Sequence, residues 1–155
     1  MRYTSSQLTF LVLLRVFIGW HFLYEGASKL LNPAWSGKSY LLDSKGFMSG
    51  FYEWIAGNNS LLMVSDFMNE WGLTLIGLSL ILGIFTRISG IAGIILLLLY
   101  YLSHPAWPGL EYLMPVDGSY FIINKNIIEI LALLVMLVFP TSHIIGLERI
   151  FRIKL

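Results

Sequence analysis

The chain reads as an all-α membrane protein, a four-transmembrane-helix antiparallel bundle with short interfacial helices in its first outer loop. Three observations carry that reading. Of the 155 residues, 57% are hydrophobic and only 12% charged, and mean hydropathy is +0.75; a soluble domain of this size has about a quarter of its residues charged. Four apolar segments, at 8–31, 69–86, 88–104 and 120–139, are separated by polar breaks. The ionisable residues inside the first segment fall on one helical stripe. No repeat, low-complexity tract or domain boundary interrupts residues 1–155, which form a single domain.

The first segment, Leu8 to Leu31, is long enough to cross a bilayer and holds Arg15, His21, Glu25 and Lys29. At about 100° per residue, with Arg15 at zero, His21 falls near 240°, Glu25 near 280° and Lys29 near 320°. The stripe is therefore about 120° wide, and the remaining faces carry Leu, Val, Phe and Ile. Such a helix turns its polar seam toward protein or water. Arg2 ahead of this stretch resembles a secretory leader, but the apolar run is too long for one. Gly26-Ala27-Ser28-Lys29 is also a poor cleavage site, so the segment is expected to be retained.

The connection from Asn32 to Met68 is too apolar for a tether. Tyr40-Leu41-Leu42, Phe47, Phe51-Tyr52, Trp54-Ile55 and Leu61-Leu62-Met63 predict short amphipathic helices at the interface, capping the bundle. The second segment closes at a tight hairpin, Thr86-Arg87, which makes the third its antiparallel neighbour. These two are short for a hydrocarbon core of about 30 Å, so extension into the flanks or local thinning is expected. His104 to Ser119, with three prolines, Trp107, Glu111 and Asp117, reads as an ordered loop. The fourth segment ends at Pro140, and the tail from Thr141 to Leu155 reads as a short basic interfacial helix. Ser79 with Gly83, and Ser89 with Gly93, are small-residue pairs that permit close helix packing.

Orientation follows from the basic residues. Arg2, Arg87, Arg149, Arg152 and Lys154 share one side with Glu148; Lys38, Lys45 and Lys125 share the other with Asp43, Glu53, Asp66, Glu111 and Asp117. That bias predicts a multi-pass protein of the bacterial inner membrane with both termini cytoplasmic.

On this topology Glu25, Lys29, Glu70, His104, Asn126 and Glu129 come to one outer-leaflet layer. A lipid-facing Glu at that depth costs several kcal/mol, roughly, so these faces must meet at the bundle axis. The candidate catalytic group is His21, Glu25, Lys29 and Glu129, which has the parts for proton transfer. Arg15, Trp20, Tyr24, Glu70, Tyr100, His104 and Asn126 are candidates for binding substrate or cofactor. Trp20, Tyr24, Tyr100 and Tyr101 offer a flat cleft for a quinone ring. Arg15, without an acid at its depth on the other spans, could snorkel, cap carbonyls or bind an anionic head group. The competing reading of the whole set is interhelical glue, with His21 bonded to Glu25 and Glu25 paired with Lys29.

Several chemistries are excluded. Without cysteine there are no disulfides, thiolate metal sites or iron-sulfur clusters. No phosphate-cradling glycine loop, GxSxG or HExxH occurs, and His21, His104 and His143 have no metal-ligand spacing, so no metal is expected. A net charge of +1 without a basic run gives no reason to expect nucleic acid.

Four blocks resemble a known family: Leu14-Arg15-Val16-Phe17-Ile18-Gly19-Trp20-His21-Phe22-Leu23-Tyr24-Glu25-Gly26 with Ser28-Lys29-Leu30; Gly72-Leu73 through Gly83-Ile84-Phe85-Thr86-Arg87; Lys125-Asn126-Ile127-Ile128-Glu129; and Pro140-Thr141 with Gly146-Leu147-Glu148. Together they resemble the DoxX/DoxD family. The first block is closest to the DoxD-like branch, the membrane subunit of thiosulfate:quinone oxidoreductase. The resemblance implies a four-helix inner-membrane protein that passes electrons from a small sulfur compound to quinone, with quinone as the non-covalent cofactor. It also implies a membrane or periplasmic redox partner subunit, since the family's activity is associated with a DoxA partner or domain. A homo-oligomer is compatible with it. The alternatives are a non-catalytic scaffold that holds an envelope redox partner and, third, a small-solute carrier.

Overall fold

The computed structural model describes residues 3–114 and 120–151. Arg2, Asp117, Arg152 and Lys154, on which part of the orientation argument rests, lie outside them. The described residues form seven α-helices and one isolated bridge, between Tyr120 and Ile123.

Helix α1, Ser5–Leu30, starts where Thr4 and Gln7 cap each other reciprocally: Gln7 N donates to Thr4 Oγ1 at 3.3 Å and Thr4 N to Gln7 Oε1 at 2.9 Å. After it come two short helices, α2 (Lys38–Leu42) and α3 (Ser49–Gly57). They match the expected short helices, with Phe47 in the turn between them and Leu61-Leu62-Met63 inside the next helix. That helix, α4, runs Asn59–Leu82, well upstream of the apolar segment that begins at 69. The reason is local: the Asn58 side chain accepts from Ser60 N and Leu61 N and sets the start, while Asp66, Asn69 and Glu70 depress the hydropathy of the first turns.

The turn after α4 also differs from expectation. Gly83 adopts φ 66° as the cap, with its N–H on Ser79 O, so the reversal occupies residues 83–85. Thr86 and Arg87 open α5 (Thr86–Ser103). The fourth segment is trimmed at its start, because Tyr120–Ile123 forms a bridged turn and the Asn124 side chain caps α6, Lys125–Val138. In the tail, α7 covers Leu147–Phe151, after a turn in which Ile144 N and Ile145 N both donate to Thr141 O; the rest of the predicted tail helix, 152–155, lies outside the described residues.

Helices α1 and α4 approach most closely. A methyl added at Gly26 would lie 2.4 Å from Thr74 Oγ1, and one at Gly77 2.4 Å from Leu23 N, so backbone rests on backbone. The closest packing therefore uses Gly19, Gly26 and Gly77 rather than the two expected small-residue pairs. Of those, Ser89 Oγ donates to Ser79 Oγ at 2.6 Å, and Gly93 receives Leu133 and Phe22. Ile18, Phe22, Leu73, Ile76, Leu80, Leu97, Ile130 and Leu133 form the core shared by α1, α4, α5 and α6.

α1 and α5 are long and apolar enough to cross a membrane. The bundle has two unlike ends. At the loop end, α2 and α3 cover the last turn of α5 and satisfy its carbonyls: Tyr52 Oη donates to Leu99 O at 2.8 Å, Tyr40 Oη to Tyr100 O at 3.4 Å and Lys45 N to Ser103 O at 3.0 Å. At the terminal end, the 83–85 turn meets α7 and the segment before it.

Candidate functional site

Beneath α2 and α3 the helices enclose a chamber of about 660 Å³. The α1 stripe supplies its polar wall, because His21, Glu25 and Lys29 follow one another at four-residue steps. Across from them stand Asn69 of α4, Tyr100 at the end of α5, and Asn126 and Glu129 in the first turns of α6.

His21 pairs across the bundle rather than along its own helix. Its Nδ1 lies 3.0 Å from Glu129 Oε1, within ion-pair distance but off the hydrogen-bonding line. Its Nε2 stands 4.0 Å from Glu25 Oε1, too far for the expected His21–Glu25 hydrogen bond. Lys29 Nζ donates to Asn69 Oδ1 at 2.8 Å and sits 4.0 Å from Glu25 Oε2. It also lies 5.1 Å from the Trp35 ring centroid and 5.7 Å from that of Tyr100, so two aromatic faces share its charge. Glu129 and Lys29 are the more enclosed pair, with side chains 14% and 16% exposed against 42% for Glu25. Glu129 Oε2 is buried without a hydrogen-bond partner among the described residues, and the Tyr100 hydroxyl, beside Asn69, has no aligned one.

A second buried group adjoins the chamber. His104, just past the end of α5, is stacked between Tyr40 at 3.9 Å and Tyr112 at 4.7 Å between ring centroids. Its Nε2 lies 3.9 Å from Asp43 Oδ2, and that oxygen accepts from Leu113 N and Met114 N, both at 2.8 Å. Burial holds the His104 imidazole below its ordinary pKa, opposed by Asp43 and assisted by Lys45. Asp43 Oδ1 and His104 Nε2 are buried without hydrogen-bond partners among the described residues. The same burial, with Asp43 nearby, raises the Tyr112 hydroxyl.

Of the residues singled out from the sequence, His21, Glu25, Lys29, Tyr100, His104, Asn126 and Glu129 line this chamber. Trp20 and Tyr24 do not; they face outward, 61% and 64% exposed. Their helical angles, near 140° and 180° from Arg15, already lie off the polar stripe. Tyr101 is outside the lining too and donates to Ile122 O at 2.9 Å. Glu70 is near enough for its charge to act on Lys29, but it is not in the lining. Asn69, Asp43, Tyr40 and Trp35 were not singled out. Asn69 had a signal, since it sits on α4 at the depth of Lys29, whereas Asp43 meets its partners only through the tertiary fold.

Arg15 lies at the opposite end. Buried, it donates from Nη1 to Thr141 Oγ1 at 3.1 Å and from Nη2 to Ile145 O at 2.7 Å, with the charge of Glu148 acting on it. The acid that the other long helices lacked comes from the tail. Glu148 in turn accepts from Thr86 N at 2.9 Å, from Thr86 Oγ1 at 3.1 Å and from Ser142 Oγ, and its N–H donates to Gly83 O at 3.0 Å.

A model of the DoxX family matches residues 10–105, more than half of the chain. The match spans His21, Glu25, Lys29, Tyr100 and His104, and stops before Asn126 and Glu129. No curated protein and no solved structure matches the chain.

Proposed function

The chain belongs to the DoxX family, and from that premise we propose that it is a four-span inner-membrane protein whose chamber binds a quinone, as the membrane subunit of a quinone-linked oxidoreductase. The observation that carries the reading is the convergence of polar side chains from α1, α4, α5 and α6 on one chamber, with the Glu129 Oε2 carboxylate oxygen buried inside it without a hydrogen-bond partner among the described residues. Glue requires partners for such groups; a binding site holds some in reserve. Membrane residence is supported by α1 and α5 and by outward Phe10, Phe17, Ile88, Ile95, Ile128 and Leu131, all more than half exposed.

The residues present fit a quinone head. A volume of about 660 Å³ suits a small-molecule site, and Phe22, Leu73, Leu96 and Leu97 give apolar walls for a ring. A quinone bound there would supply the electron-accepting chemistry. Lys29 and the Tyr100 hydroxyl are the donors for its carbonyl oxygens, and Asn69 fixes the ammonium in place. His21 and Glu129, 3.0 Å apart, are placed to take up and pass a proton, with Glu129 Oε2 as the free acceptor. Lys29 offers an anionic reductant, such as a small sulfur oxyanion, a cation to pair with.

Purification in mild detergent followed by lipid extraction tests the reading. Quinone should co-purify with the native protein and be lost from Glu25→Gln and His21→Ala at unchanged melting. Preparations that bind no quinone and reduce none with thiosulfate or sulfide would overturn the enzyme reading. A partner captured by mild crosslinking of such inactive preparations would favour a scaffold.

A further inference from the structure

The chamber is not lined evenly. Most of its charged groups belong to α1 and α6, whereas the part bounded by α3 and the first turns of α4 presents Phe51, Trp54, Ile55, Leu61, Val64 and Met68, with Ser65 and Asp66 among them. Four of these line the cavity and yet stand open to the surroundings, Phe51 at 44%, Trp54 at 59%, Val64 at 55% and Met68 at 65% exposure. A side chain that does both marks a mouth. Beside it on α4, Met63 and Phe67 are also apolar and exposed, at 73% and 61%. Asp66 is the one acid of this wall, and its oxygens are engaged by Ser36 Oγ at 2.8 Å and Gly37 N at 3.0 Å. A hydrophilic solute would find little polar rim here beyond Ser65, while an alkyl chain would pass from one apolar medium to another.

We infer that the chamber takes an amphiphile from the side: a ring held against the α1 and α6 wall, and an alkyl or prenyl chain that leaves between α3 and α4. This deepens the quinone reading and rests on it. Referred to ligand free in water, the chain is a determinant of affinity, because the mouth gives part of it an apolar channel. Burial of as few as two methylenes corresponds to about a tenfold gain in binding.

The test uses the full chain in detergent and two benzoquinones with the same ring substituents, one carrying a decyl chain and one carrying none. Affinities are measured by equilibrium dialysis and corrected for partition into micelles. The decyl compound should bind at least about tenfold more tightly. Val64→Trp and Met68→Trp, substitutions at exposed positions that narrow the mouth, should each remove most of that advantage and leave the tailless compound within about twofold. Equal affinity for the two compounds, or equal loss of both in the narrowed variants at unchanged melting, would overturn the lateral mouth while leaving a quinone site. Binding of neither compound by the native protein would overturn the quinone reading, and this inference with it.

Discussion

The two ends of the bundle use polar residues in opposite ways. At the terminal end Arg15, Thr86, Thr141, Ser142 and Glu148 engage one another and nearby backbone carbonyls and amides, and of their side-chain polar atoms Arg15 Nε alone is buried and unpartnered. At the loop end His21 and Glu129 touch at ion-pair distance without a formed hydrogen bond, Glu25 stands 4.0 Å from both its neighbours, and Glu129 Oε2 has no partner. Buried polar groups are costly unless satisfied. A saturated cluster holds helices together, and an unsaturated one is suited to receiving something else.

The largest effect should come from breaking the saturated end. Arg15→Met removes two hydrogen bonds and leaves Glu148 without its cation, and should cost about 3 kcal/mol of stability. Thermal unfolding in detergent measures it, and quinone affinity per folded molecule should stay unchanged. A small loss of stability would mean that the two ends are not different in kind. Lys29→Met makes the converse test at the loop end. It should weaken binding of the decyl benzoquinone about tenfold while shifting stability by about 1 kcal/mol or less; a reversal of those two readouts would make Lys29 glue.

Next in size is a pH response confined to the loop end. His104 has its folded pKa lowered by burial, so below the unfolded value of about 6.5 the unfolded chain binds more protons. Its contribution is fully present above that pH and is lost as pH falls toward the folded value. Unfolding followed from neutral pH to about pH 5 should show a decline that His104→Gln reduces. An identical decline in the variant would exclude His104 as its source. Smallest is Ser89→Ala, which deletes the bond to Ser79 across α4 and α5 and should cost about 0.6 kcal/mol. A loss as large as that of Arg15→Met would show that the saturated end depends on neutral bonds as much as on charge.

Much of the bundle was legible because hydropathy and helical angle are local properties. The stripe of His21, Glu25 and Lys29 needed only the helical repeat, and their meeting with Glu129 followed from the cost of a lipid-facing carboxylate. What was not legible depended on context. α4 reaches back to Asn59 because a capping asparagine outweighs weak hydropathy, and the turn sits at 83–85 because Gly83 supplies a left-handed residue just before the polar pair Thr86-Arg87. The Glu148 partner of Arg15 lies in the tail, beyond reach of an argument that compared only spans. Asp43 meets Leu113 and Met114 across seventy residues of chain, a pairing without local periodicity.

The clasp on Arg15 also bears on the order in which the protein can mature. Residues 141–148 are translated after all four long helices, and until they arrive the guanidinium of the first helix has neither Thr141, Ile145 nor Glu148 to meet it. A nascent chain halted before that point carries a bare cation within its apolar layer. Translation of residues 141–148 is thereby coupled to assembly, and chains halted before them are left open to cellular quality control.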